Sequence, residues 1–162
     1  MTTTYIILGS SLGDKQLWIE KAIQQISILG AIIKESKLYE TAAWGGQTEA
    51  TFYNQVIALS TDYSAQHLLE KLLKIEQELG RVRDPDLKYG ERTIDIDILL
   101  FGNEIINSAS LTIPHPRMQD RKFVLMPLSE IAKDLMHPIL HKPIETLLKY
   151  SKDELDVKVC EN

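Results

Sequence analysis

The chain has 162 residues, 44% of them hydrophobic and 25% charged, with a formal charge of −5. That length suits a single domain over 1–162 with a core of its own, and the acidic balance argues against broad nucleic-acid binding, which needs a basic surface. A lone Cys160 leaves no internal disulfide, MTTTYIILGSS lacks a basic leader, and no stretch approaches the roughly 20 apolar residues of a membrane span, so a reducing cytoplasm is the expected home.

In chain order, Tyr5–Leu8 predicts a short apolar strand that breaks at Gly9-Ser10-Ser11. A helix from about Asp14 follows, its apolar residues Leu17, Ile19, Ala22, Ile23, Ile26 and Leu29 recurring near the helical period until Gly30 ends it. Ile32–Tyr39 and Phe52–Ser60 read as strands, separated by a loop holding Trp44-Gly45-Gly46. Ser64 caps a second helix with the stripe Leu68, Leu69, Leu72, Leu73, Ile75 and Leu79, and Gly80 closes it. The polar loop RVRDPDLKYGER leads to a strand in TIDIDILLF, and Gly102-Asn103 reads as a hairpin turn into Glu104–Ile106. After TIPHPRMQDR comes a short helical stretch around Phe123–Leu128, interrupted by Pro127, then a helix over Ile144–Tyr150 and a frayed polar tail.

Strand, helix, strand, strand, helix, strand is the split βαβ, ferredoxin-like pattern of the α+β class. It implies a mostly antiparallel sheet with helices packed on its faces, the two helices of the repeat sharing one face. GSSLGDK is not a Walker loop, because only three residues separate Gly9 from Gly13 and Asp14 follows; it reads as a helix entry.

Asp95 and Asp97 are the anomaly. Side chains alternate along a strand, so both point one way while Ile94, Ile96 and Ile98 point the other. At about 7 Å two carboxylates repel by roughly 2 kcal/mol at an effective dielectric near 20. Two readings are open: the solvated face of an amphipathic strand, or hard oxygen ligands for Mg²⁺ with room left for substrate phosphates. Zinc lacks the histidine and thiolate ligands it prefers here. Arg81, Arg83, Arg92, Arg117 and Arg121 bracket the pair, with His115 close to the last two, and guanidinium forks match phosphate oxygens. Glu76 falls on the apolar stripe of its helix in the last turn, which suits either a salt bridge, with Arg81 a candidate, or a place in a ligand site.

The blocks GSSLGD, YNQVIAL, IEQELGRVR, YGERTIDIDILLFGNEIIN and LTIPHPRMQDRKFVLMPL, in that order from about Tyr5 to Ala132, resemble the 6-hydroxymethyl-7,8-dihydropterin pyrophosphokinase family of the folate pathway. The resemblance implies transfer of a diphosphoryl group from ATP to the pterin hydroxymethyl oxygen, with release of AMP, by a monomeric enzyme binding two Mg²⁺ at Asp95 and Asp97. It also implies phosphate or transition-state contacts from Arg92, Arg121 and His115, and a closing loop carrying Arg81 and Arg83. Ile98, Leu111 and Thr112 would form the adenine pocket, with Glu76 on the nucleotide side. Thr41, Ala42, Trp44, Tyr53, Asn54 and Phe123 would take the pterin; on residue type alone Tyr53 and Phe123 read as core packing. Rival readings are a Mg²⁺-dependent nucleotidyl transferase or cyclase on a similar scaffold, which needs no pterin pocket, and a non-catalytic RNA-binding module, which the acidic balance disfavours.

Overall fold

The structure is a computed structural model that describes residues 1–42, 51–80 and 93–160. β1 (Thr2–Ser10), rich in threonine and isoleucine, lies between β5 (Asp95–Phe101) and β4 (Thr51–Thr61), antiparallel to both. β4 in turn pairs with β2 (Ala31–Glu35) near its end and with β3 (Tyr39–Ala42) near its start. The strand β8 (Val157–Val159) pairs antiparallel with β3, so the six-stranded sheet runs β5-β1-β4-β3-β8, with β2 as a branch on β4. With α1 (Lys15–Ile26) and α2 (Ala65–Glu78) in their predicted places, this is the expected α+β, ferredoxin-like arrangement.

Helices cover both faces. α1 and α2 lay Ile19, Ala22, Ile26, Leu68, Leu72 and Ile75 over Ile6, Leu8, Ile57, Leu59, Ile94, Ile96 and Ile98. On the other face α3 (Lys122–Ala132) and α4 (Ile144–Lys149) bury Val124, Leu125, Leu128 and Ile144 against Ile7, Val56 and Leu99. Each such side chain contributes about 1.5–3 kcal/mol when fully buried. Among the described residues no helix is long and apolar enough to cross a membrane.

Local signals place the first two helices. Asp14 Oδ1 accepts the Leu17 N–H at 3.2 Å, and Ser64 Oγ accepts the His67 N–H at 3.2 Å, which satisfies first-turn donors. Gly80, at φ +87°, follows α2 in the left-handed conformation that glycine tolerates best.

Six expectations need correction. β1 continues through Gly9 and Ser10 instead of breaking after Leu8. α1 stops at Ile26, with Ser27 as its cap, rather than at Gly30. Gly30 serves close approach instead: a Cβ there would lie 2.1 Å from the Ser60 carbonyl oxygen. The strand read over Ile32–Tyr39 is two strands, because Ser36 breaks it, its hydroxyl accepting the Val56 N–H at 3.0 Å. The turn after β5 forms, with Glu104 N–H donating to Phe101 O at 3.0 Å, but no hairpin with β5 follows. β6 (Ile106–Asn107) pairs with β7 (Thr112–Ile113), since the outer edge of β5 is already engaged by Glu76 and by His115 N–H, which donates to Leu99 O at 2.9 Å. α3 runs through Pro127, its packed apolar face outweighing the missing proline N–H. The tail read as frayed contains β8, with Val157 buried. Just beyond it, burial and the Glu40 carboxylate push the Cys160 thiol's pKa up, with Lys15 opposing, so thiolate is disfavoured there.

Gly30→Ala is expected to lower the unfolding free energy by about 1–3 kcal/mol, because a backbone oxygen on β4 must yield to the new methyl group. Urea titration checks this; an unchanged midpoint would contradict the crowding at Ser60.

Candidate active site

Antiparallel register sets the site. Asp95 on β5 lies opposite Gly9 on β1, Gly9 opposite Asn54 on β4, and Asn54 opposite Tyr39 on β3. The next row is Asp97, Ile7 and Val56. Both carboxylates therefore share the face covered by α3, at a level where its apolar cluster gives way to polar side chains. Two strand spacings separate the backbones of Asp95 and Asn54, about 10 Å. Gly9 keeps the interval open: a Cβ there would meet Asn54 Oδ1 at 2.8 Å, so the buried carboxamide lies over the glycine backbone.

Thr41 occupies the same face on β3, buried, and its Oγ1 has no hydrogen-bond partner among the described residues. Opposite it in register stands Phe52. Strand alternation gives Phe52 and Asn54 one face and Tyr53 the other. Tyr53 packs against the α1/α2 cluster, with Lys15 Nζ 5.0 Å from its ring centroid. The tyrosine is thus turned away from the row that holds Asp95 and Asn54, and Phe52 takes the position beside Thr41. Once Asn54 is assigned to the site, counting back two residues along β4 finds Phe52.

β5 is fixed from outside by Glu76. This side chain is 2% exposed, and its Oε2 accepts the Ile96 N–H at 2.7 Å, between the two aspartates in sequence. A charge-assisted bond to backbone gives an acid on the buried stripe of α2 a structural role. Its partner atom lies on the strand that presents Asp95 and Asp97, so α2 and the acidic pair are mechanically linked.

The third wall is the segment after β7. The backbone bond from His115 to Leu99 sets the imidazole at the edge of β5, and its Nδ1 is 3.4 Å from the Arg117 N–H. Burial, and then the Arg121 guanidinium, lower the His115 pKa, while Asp95 pulls it up. Those influences put Asp95, His115 and Arg121 in one electrostatic neighbourhood. Arg121 precedes α3, and its guanidinium carbon is 5.8 Å from the centroid of the Phe123 ring. Ile98 and Leu111 have their side chains in the α1/α2 core, on the side away from the acids, whereas Thr112 is exposed. Arg81, Arg83, Arg92 and Trp44 lie outside the described residues, as does the side chain of Ala42.

The last contact braces α3. Glu130, near its end, accepts from Tyr39 Oη at 2.6 Å and from the Lys37 N–H at 3.1 and 3.2 Å. Burial, followed by the hydrogen bond and charge of Glu130, holds the Tyr39 phenol well above its usual pKa range. No sequence motif announces this pair, which is 91 residues apart.

Residues 5–133 match the family model described as 7,8-dihydro-6-hydroxymethylpterin-pyrophosphokinase. The 2-amino-4-hydroxy-6-hydroxymethyldihydropteridine pyrophosphokinase of Aquifex aeolicus is 41% identical over 145 residues, 90% of this chain and 89% of the relative. The enzyme of the same name from Haemophilus influenzae is 44% identical over 140 residues, 85% of this chain and 86% of the relative. A solved Plasmodium falciparum HPPK-DHPS chain superposes with a TM-score of 0.72 at 16% identity, over 91% of this chain and 40% of that longer one, a likeness of fold.

Glu76→Ala leaves the Ile96 N–H without this acceptor and is expected to cost about 1–3 kcal/mol, with Glu76→Gln losing less because it keeps a carbonyl oxygen. Chemical denaturation with amide exchange at Ile96 tests it. Equal protection of that amide in wild type and alanine variant would remove the tie from the argument.

Proposed function

The chain belongs to the 7,8-dihydro-6-hydroxymethylpterin-pyrophosphokinase family and has its pyrophosphokinase activity in folate biosynthesis, and from that premise we propose how its residues divide the work. ATP and 6-hydroxymethyl-7,8-dihydropterin are the substrates. The hydroxymethyl oxygen forms a bond to the β-phosphorus, the bond from that phosphorus to the α,β-bridging oxygen breaks, and AMP leaves. The hydroxyl proton departs to solvent.

Asp95 and Asp97 fit Mg²⁺ by donor chemistry: hard carboxylate oxygens on one face of a rigid strand, beside a glycine that adds no side chain. Among the described residues no three potential ligands converge, and a carboxylate pair completed by substrate phosphates and water is the manner in which Mg²⁺ is commonly held. Bound there as two ions, Mg²⁺ supplies neutralisation of phosphate charge. Arg121 and His115 face the same phosphates, joined by Arg81, Arg83 and Arg92. Fixed donors of this kind favour charge spread over the transferring group without reorganising during the reaction.

The pterin lies over Gly9, on the Asn54 side of the acids. The Asn54 carboxamide offers a donor and an acceptor to the heterocycle edge, and the buried Thr41 hydroxyl adds one group more. Phe123 and Phe52 supply aromatic faces, with Ala42 and Trp44 completing this side, and Tyr53 acts only through packing. Ile98, Leu111 and Thr112 serve adenine, Ile98 through its peptide groups at the outer edge of β5. Glu76 acts by holding that strand. The observation that carries the reading is the single row Asp95, Gly9, Asn54, which sets the phosphate end and the heterocycle end two strands apart. We read 1–162 as one such domain, working as a monomer in the reducing cytoplasm.

AMP is expected to form only when pterin, ATP and Mg²⁺ are all present, to cease with EDTA and to resume with added Mg²⁺. Asp97→Ala should lower turnover by roughly 10²–10³-fold or more while melting as a folded protein; near-normal turnover would remove the metal assignment. Phe52→Ala should raise the pterin KM by about ten-fold, the equivalent of an aromatic contact of about 1.4 kcal/mol, while Tyr53→Leu leaves it within about two-fold. The reverse order of effects would return Tyr53 to the pocket.

A further inference from the structure

We propose that Asp153 is a positioning residue for the pterin side of the site, acting by capping α3 from a distant part of the chain. The inference rests on the reading above, in which Arg121 and Phe123 face the substrates.

α3 lacks a cap of its own. Arg121 stands at its N-cap position and makes no side-chain cap hydrogen bond. The first-turn N–H of Lys122 is accepted instead by Asp153 Oδ2 at 2.9 Å, from 31 residues further along. Asp153 is itself held, its Oδ1 accepting the Leu155 N–H at 3.0 Å and its own N–H donating to Ser151 Oγ at 3.2 Å. A fixed carboxylate at a helix start satisfies an otherwise orphaned donor and complements the helix dipole. The residues it steadies are the two flanking Lys122, which are Arg121 and Phe123.

The same segment reaches the other wall of the pocket. Val157 lies opposite Thr41 in register, Val159 opposite Tyr39, and the Cys160 N–H donates to Leu38 O at 2.9 Å. Residues 151–160 thus join the start of α3, with Phe123, to β3, with Thr41. Glu130 ties the far end of α3 to Tyr39 and Lys37, and Asp153 supplies the corresponding tie at the near end. Asp153 lies beyond the span 5–133 that matches the family model, so that span does not include this element of the pocket's support.

The test uses the full chain with Asp153→Ala, Asp153→Asn and Phe123→Ala, assayed for AMP release with pterin and ATP varied in turn. Loss of the cap frays the first turn and reduces the population able to bind. Asp153→Ala should then raise the pterin KM by about five-fold, the equivalent of an N-cap of about 1 kcal/mol, with the ATP KM changed less. Asp153→Asn, which keeps an acceptor oxygen, should recover most of the loss, and amide exchange at Lys122 should follow the same order; this variant also serves if the alanine protein does not fold. An unchanged pterin KM in Asp153→Ala, or equal defects in both variants, overturns the proposal while Phe123→Ala still shows the pocket to be real. If Phe123→Ala also leaves the pterin KM unchanged, the placement of the pterin itself is overturned, and this inference with it.

Discussion

One strand has to be oily on one side and anionic on the other. β5 and the residue just before it place Ile94, Ile96 and Ile98 in the core beneath α1 and α2, which fixes the strand's rotation about its own axis. Asp95 and Asp97 then have no choice of face. Their mutual repulsion is tolerable only where cations, metal or guanidinium, share the space. The fold provides for this by placing Gly9 as the neighbour of Asp95, and by bringing His115 and Arg121 to the same neighbourhood.

Rigidity of that strand comes from both edges. β1 holds one side, and the outer side is held by the Glu76 carboxylate and by the His115 backbone. An edge strand that must aim two charges at phosphate oxygens gains from having its free backbone groups engaged. The opposite wall is built differently. Asn54, Thr41 and Phe52 stand on paired strands, while Phe123 and Arg121 arrive on a helix whose two ends are tied down by Glu130 and Asp153.

What the sequence made legible follows from the range of the forces involved. α1 and α2 announce themselves through caps and stripes a few residues long, and the acidic pair through a period of two. The break at Ser36, the β6–β7 pairing and β8 depend on partners far along the chain, and a three-residue strand carries too little pattern to be read alone. Tyr53 shows a different limit. Its residue type suits a flat heterocycle better than many, yet the phase of β4 sends it to the α1 side and leaves Phe52 beside Asn54. Glu76 was marked as odd by its place on a buried stripe, but that its oxygen would meet a backbone N–H twenty residues on could not be seen in the letters.

The pairing of β8 with β3 also bears on how the molecule comes into being. Chains emerge from the ribosome N-terminus first, and domains fold as enough of them becomes available. The strand bearing Thr41 is born early, but its outer neighbour, Val157–Val159, is made much later in the chain. Until those emerge, β3 offers a bare row of peptide donors and acceptors to any other nascent chain, a template for faulty association. Completion of the sheet, and with it protection from such encounters, waits for β8 to emerge.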